Sequence, residues 1–94
     1  MYALIRQYEG LDAETRQTAT RKANDELRTI LSKAPGFVLY ELLKPGDDGA
    51  VTSISVFSSR AEAEASGKLA QEWVHKNLPE MTKPRHVAGG LVAH

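Results

Sequence analysis

The segment that most restricts the fold is an apolar run enclosed by two prolines. Residues 37–44 read FVLYELLK, and Pro35 and Pro45 flank them. A helix of ordinary length does not fit between these prolines, because proline breaks a helix interior. We therefore interpret the run as a β-strand. The turn-forming stretch PGDDG follows at 45–49 and Val51–Phe57 resumes a strand pattern, so the two strands are predicted to form an antiparallel hairpin.

A first strand and a first helix precede this hairpin. Tyr2–Glu9 is a mixture of aromatic and β-branched residues that becomes polar towards its end, and it predicts a strand. Asp12 is a candidate helix cap, and Pro35 with Gly36 ends the helical segment. Between them, apolar residues recur at spacings of three and four and predict the inner face of an amphipathic helix; they are Ala19, Ala23, Leu27, Ile30, Leu31 and Ala34.

A second helix and a fourth strand complete the order βαββαβ. Ser59–Glu62 matches the capping box, in which the serine oxygen accepts a hydrogen bond from a first-turn amide. Pro79 ends this helix, and Val87–Ala93 is predicted as the last strand, with Gly89 and Gly90 favouring a bulge or bend. The predicted inner face of the helix carries Ser66, Leu69, Ala70, Trp73 and Asn77.

Length and composition narrow the class of protein. With 94 residues, the chain is expected to form one domain over residues 1–94. It has no cysteine, and no histidine spacing predicts a metal site. Twelve basic residues balance twelve acidic ones, which disfavours nucleic acid and an anionic membrane as partners. No apolar run has the length of a signal or a membrane-spanning segment, so we expect a cytoplasmic protein.

Both sides of the predicted sheet are apolar, and this favours a homodimer. Strand two divides into Phe37, Leu39, Glu41 and Leu43 on one side, and Val38, Tyr40 and Leu42 on the other. Right-handed crossovers place both helices on one face of a four-stranded antiparallel sheet. Leaving the opposite face in water would forgo about 1.5 to 3 kcal/mol for each large apolar side chain. A second copy that packs through the same sheet face would recover this energy.

Four parts of the sequence carry a resemblance to a known family. They are the strand at the start of the chain, the proline and glycine before strand two, the segment Ser53–Phe57 that leads into Ser59–Ala63, and the helical Gln71–Val74. The chain resembles the dimeric α+β barrel superfamily, specifically small domains similar to antibiotic biosynthesis monooxygenases. The resemblance implies a ferredoxin-like protomer whose sheet meets that of its twin, with a cavity between the sheet and its helices.

The resemblance implies more than one function. Some relatives oxygenate polycyclic phenols without a metal or flavin, because the phenolate of the substrate itself reacts with oxygen. Our first hypothesis is such a cofactor-independent monooxygenase, acting on a flat phenolic or quinone-like compound. The alternative is a non-catalytic homodimeric ligand-binding or regulatory domain. The choice depends on whether a cavity of some hundreds of cubic ångströms exists between the second helix and the sheet.

Haem binding or degradation is a third function of this superfamily. The haem-degrading branch uses an asparagine in strand one, a tryptophan in the second helix and a histidine about ten residues beyond it. In this sequence strand one offers Arg6 and Gln7, and the region of the tryptophan reads Ser66 and Gly67. Trp73 is followed by a histidine after only two positions. The sequence therefore departs from the haem-degrading pattern.

Three residues are candidates for catalysis. Arg6 and Tyr8 are ionisable groups in an otherwise apolar strand, where burial is costly unless they are paired or hydrogen-bonded. Arg6 could stabilise an anionic substrate or enolate, or form a structural ion pair with Glu41 across the sheet. Tyr8 could donate a hydrogen bond to a bound oxygen. His86 could act as a general base if it faces the cavity, and is otherwise a surface residue.

Four further residues are candidates for substrate binding. Trp73 and Asn77 lie one helical turn apart, where the indole could stack on a flat ligand and the amide could orient it. Alternatively they are a core tryptophan and a helix-end asparagine. Tyr40 could donate a hydrogen bond to the ligand, and Glu41 could bind substrate together with Arg6.

Overall fold

A computed structural model describes residues 1–9, 11–43, 50–81 and 86–92. The elements follow the predicted order, and the first helix contains a π-helical segment. They are β1 (Tyr2–Tyr8), α1 (Ala13–Lys22), the π-helical segment (Ala23–Leu27), α2 (Arg28–Ser32), β2 (Phe37–Leu43), β3 (Val51–Phe57), α3 (Arg60–Asn77), a 3₁₀ turn (Pro79–Met81) and β4 (His86–Leu91). The predicted turn at 45–49 and the predicted strand end at Ala93 lie outside the described residues.

The four strands form one antiparallel sheet in the order β2-β3-β1-β4. The first helix (α1, the π-helical segment and α2) and α3 pack on the same side of this sheet. α3 contacts β1 and β3, and α2 contacts β2. The ferredoxin-like α+β fold is therefore confirmed. Among the described residues, no helix combines the length and the apolar composition needed to cross a bilayer.

A β-bulge in β2 changes which residues share a face. Phe37 pairs with Phe57, but the next pair in register joins Leu39 to Val56, so the extra residue between them shifts the alternation. The rings of Phe37 and Phe57 meet edge to face at 5.8 Å on the helix side. Phe37 thus lies on the same side as Tyr40, and its predicted place beside Leu39 is wrong.

The π-helical segment determines the inner face of the first helix. Four buried residues spaced by four point at the sheet; they are Ala19, Ala23, Leu27 and Leu31. In a regular α-helix, residues four apart drift by about 40° at each step, and the wider turn of the π-helix reduces this drift. Ile30 lies outside this row of buried residues and is 40% exposed. Its predicted inward position is therefore wrong.

The start of α3 confirms the predicted cap, and its middle corrects one core residue. The hydroxyl of Ser59 accepts from the amide of Glu62 at 3.2 Å and donates to its carboxylate at 3.0 Å. Trp73 and Ala70 face the sheet and are buried. Leu69 directly precedes Ala70 and lies about 100° around the helix from it, so it is 41% exposed rather than buried as predicted.

The sheet face opposite the helices, which we call the outer face, carries large apolar side chains and is uncovered by any described element. Ile5 pairs with Ile54, and Leu39 and Leu43 have the same orientation by register. The exposed fractions are 40% for Ile5, 39% for Leu39 and 48% for Leu43. The prediction that large apolar side chains occupy both faces of the sheet is therefore confirmed.

A glycine joins the first helix to β2 in a left-handed conformation. Gly36 has φ +79°, and a Cβ there would overlap the carboxylate of Glu62. We expect Gly36→Ala to lower the free energy of unfolding by about 1 to 2 kcal/mol, because residues with a Cβ are strained at this φ. Urea denaturation measures the change, and a midpoint equal to that of the wild type would contradict it.

Candidate functional site

A partly enclosed cavity lies between the helix side of the sheet and the helices. Arg6 and Tyr8 of β1 and Ser53 of β3 form its floor, and Trp73 of α3 forms part of its roof. The 3₁₀ turn contributes Met81. Small residues of the helices leave the space open, since Ala19, Ala23, Gly67 and Ala70 all line it.

The cavity is narrow. The centre of a water molecule can occupy about 40 Å³ of it, within about 540 Å³ of space between the lining atoms that includes the part open to solvent. One water needs roughly 10 to 15 Å³ on this measure, and an engineered cavity that binds benzene has about 150 Å³. The core is therefore not solid, but an aromatic ring enters only if lining side chains move.

Arg6 supplies positive charge to the cavity. Its guanidinium donates from Nη2 to the carbonyl of Gly67 at 2.9 Å, which anchors β1 to the middle of α3. Burial raises the pKa of Tyr8, and the charge and hydrogen bond of Arg6 oppose this rise. No described residue that lines the cavity has a carboxylate. The charge of Arg6 therefore has no anionic partner there.

Tyr40 adds a second protonated phenol. It is 3% exposed, and burial raises its pKa to about 12, while the nearby charge of Arg28 opposes the rise. The guanidinium carbon of Arg28 lies 5.4 Å from the centroid of the Tyr40 ring. Because burial favours the neutral form of both Tyr8 and Tyr40, they act near neutral pH as hydrogen-bond donors rather than as bases.

The raised pKa of Tyr40 makes stability fall at alkaline pH. The unfolded phenol ionises near 10 and the folded one near 12, so this contribution is complete below pH 10 and is lost as the pH rises through 12. This difference in pKa between the folded and unfolded protein corresponds to roughly 2 to 3 kcal/mol of unfolding free energy. We expect Tyr40→Phe to show a correspondingly smaller loss of unfolding free energy between these pH values. An equal loss in both proteins, measured by urea denaturation, would contradict this assignment.

Two predicted residues lie outside the cavity. Glu41 has the opposite orientation to Arg6, and its carboxylate lies 3.9 Å from Arg28 Nη2 with 62% of its side chain exposed. The predicted Arg6–Glu41 pair is therefore wrong, because alternation along the strands separates the two residues. The amide of Asn77 donates to the carbonyl of Trp73 at 2.9 Å, which fits the helix-end role.

The structure brings four of the predicted residues together: Arg6, Tyr8, Tyr40 and Trp73 all line the cavity. His86 begins β4, but its side chain lies outside the described part of the chain. Among the described residues, no three histidine or acidic side chains converge as metal ligands would. Ser53, Ser55 and Gly67 also line the cavity and were not predicted to do so. The alternation of serines with apolar residues in Ser53–Phe57 was the available signal for the first two.

Comparisons with known proteins support the same fold. A monooxygenase from the gene ActVA-Orf6 of Streptomyces coelicolor, solved in complex with nanaomycin D, has a TM-score of 0.76 and 11% identity, covering 99% of this chain and 88% of that one. A dimeric ferredoxin-like protein from an uncultured marine organism has a TM-score of 0.72 and 10% identity, covering 99% of this chain and 94% of that one. SnoaB, a cofactor-independent oxygenase from Streptomyces nogalater, has a TM-score of 0.58 and 21% identity, covering 99% of this chain and 91% of that one.

The sequence comparisons identify the family. A comparison with the curated proteins gives no match. The family model described as antibiotic biosynthesis monooxygenase matches residues 1–71, which include β1, the hairpin strands and the part of α3 that contacts Arg6. Because this match covers most of the sequence, the chain belongs to the antibiotic biosynthesis monooxygenase family.

Proposed function

We propose that this chain is a cofactor-independent monooxygenase that binds a small, flat phenol or quinone-like compound as an anion. The observation that carries the proposal is the cationic Arg6 in a cavity whose described lining has no carboxylate. Tyr8 and Tyr40 add neutral donors that can hold the ligand oxygen. Family membership supports this reaction class, as does the structural likeness to the oxygenase SnoaB.

The proposed reaction converts a phenol to a quinone. One phenol and one O₂ give one quinone and one water, so one oxygen atom enters the ring and the other leaves with the two hydrogens of the substrate. Electrons come from the phenolate itself. Arg6 stabilises the anionic oxygen, Tyr8 or Tyr40 orients it, and Trp73 stacks on the ring.

Substrate entry requires the cavity to widen. Met81 lines it, and the unbranched thioether of methionine adapts its shape readily. The small residues of the helices that line the cavity take up little of the space that a ring would need. A single aromatic ring therefore suits the site better than an extended polycyclic system.

Binding and turnover can be tested separately. 4-Nitrophenol changes its visible absorbance on ionisation, so a titration with the protein reports both affinity and the apparent pKa of the bound probe. We expect this pKa to fall on binding, because Arg6 favours the phenolate. Oxygen uptake with a panel of dihydroxy-aromatics then tests catalysis. Absence of binding by every ionisable aromatic would overturn the proposal.

The small size of the cavity favours one rival, a non-catalytic ligand-binding domain. With about 40 Å³ available to water centres, the cavity must widen less to hold a ring alone than to hold a ring and O₂ together. Under this alternative, 4-nitrophenolate binds but none of the dihydroxy-aromatics consumes oxygen above the rate without protein. Uptake that depends on Arg6 would exclude it.

We propose further that two copies pair through the outer face. Its exposed apolar side chains are Ile5 of β1 and Leu39 and Leu43 of β2, and Ile54 of β3 lies between the two strands on the same face. The likeness to a dimeric ferredoxin-like protein supports the same assembly. An isologous pair would bury this surface twice, once from each copy.

A further inference from the structure

Gly67 occupies a helical position where glycine is unfavourable, and Arg6 fills the space of its missing side chain. Gly67 is buried within α3, well inside the helix ends. A Cβ built there would lie 2.7 Å from Nη2 of Arg6 and 3.5 Å from Cδ1 of Leu4. Alanine is a better helix former than glycine, so helix propensity alone disfavours the residue present. The space it leaves is used by the guanidinium.

The carbonyl of Gly67 also binds the guanidinium of Arg6. Arg6 Nη2 donates to it at 2.9 Å. A carbonyl within a helix keeps a second lone pair beyond its helical hydrogen bond, so it can accept from the guanidinium as well. The planar guanidinium presents its remaining donors in fixed directions, and Arg6 also lines the cavity. This contact, together with the hydrogen bond between Arg6 and Tyr8, holds the positive charge at the cavity.

We propose that Gly67 is the positioning residue that holds the guanidinium of Arg6 in the cavity, so that the residue at position 67 decides whether the cavity binds anions. A methyl group at this position overlaps only the far end of the arginine side chain, which is flexible. We therefore expect the Gly67→Ala variant to fold, but with the guanidinium of Arg6 displaced from its position beside α3. The role in ligand binding rests on the proposed function, whereas the contact between the two residues does not.

The first test measures binding. Gly67→Ala is expected to bind 4-nitrophenolate about ten- to a hundredfold more weakly, the loss that corresponds to one charge-assisted hydrogen bond. Gly90→Ala is the matched control, because a Cβ at Gly90 meets no atom within 4 Å. It should retain wild-type affinity. Unchanged affinity in Gly67→Ala, with binding intact in the wild type, would overturn the proposal.

The second test needs no ligand. In the Arg6→Ala background the space beside Gly67 is empty, so Gly67→Ala should raise the urea midpoint through better helix propensity. In the wild-type background the same change displaces Arg6, so the rise should be smaller or reversed. Equal shifts in both backgrounds would show that the residues are not coupled. This outcome is distinct from failure of the proposed function, in which the wild type binds no phenolate.

Discussion

Replacement of Arg6 by glutamine is expected to weaken binding of 4-nitrophenolate by about a hundredfold and to lower kcat/KM for any phenol that is turned over by at least as much. Glutamine keeps a hydrogen-bond donor but removes the charge. Removal of one group that stabilises a developing oxyanion in a water-poor site typically costs about 10² to 10³ in rate. The apparent pKa of bound 4-nitrophenol should also return towards its value in solution.

Two further variants isolate the cause of this loss. Arg6→Lys keeps the charge without the planar donors, so it should bind with intermediate affinity. Arg60→Gln removes an exposed arginine that pairs with Glu64 at 2.9 Å and does not line the cavity. It should behave as the wild type. Equal affinity of the Arg6→Gln variant and the wild type would refute the assignment of Arg6 as the anion-binding group.

The order of strands and helices was predictable from local signals. Prolines on both sides of residues 37–44 left only a strand there, and the serine of the capping box at Ser59 marked the start of α3. These signals act within a few residues, so they need no knowledge of tertiary packing. The apolar outer face followed in the same way from alternation along β1.

The orientation of several side chains was not predictable by the same reasoning. The errors at Phe37 and Ile30 follow from a local change of period: one extra residue between Phe37 and Leu39, and one wide turn at Ala23–Leu27. Such insertions move every later residue relative to a regular strand or helix. The sequence pattern does not mark either insertion. Glu41 was paired with Arg6 because both are ionisable groups in otherwise apolar strands, but the register places the two residues on opposite faces of the sheet.

The site was predictable only in its large residues. Arg6, Tyr8 and Tyr40 stood out as polar groups in apolar strands, and the single tryptophan stood out by size. Gly67 did not, because its contribution is the absence of a side chain. A cavity depends on what neighbouring elements fail to fill, and that is decided by packing between α3 and β1 rather than by either segment alone.

Ile5→Glu is expected to convert the proposed dimer to a monomer at micromolar concentration, raising the dissociation constant by a hundredfold or more. Ile5 lies on the central strand β1, opposite Ile54 of β3 on the outer face. A two-fold interface contains each substitution twice, so two carboxylates would lose water without a partner. Burial of an unpaired charge costs several kcal/mol. Sedimentation equilibrium measures the change directly.

Ile30→Glu is the matched control for this experiment, because Ile30 is also 40% exposed but lies on the first helix, away from the outer face. It should sediment as the wild type does. If the outer face is the interface, the wild type should also melt at higher temperature as its concentration rises, and the Ile5→Glu variant should lose this dependence. A wild type that is monomeric at micromolar concentration, or an Ile5→Glu variant that remains dimeric, would rule out pairing through this surface. The exposed isoleucine and leucines would then need another cover, since the described elements place none over them.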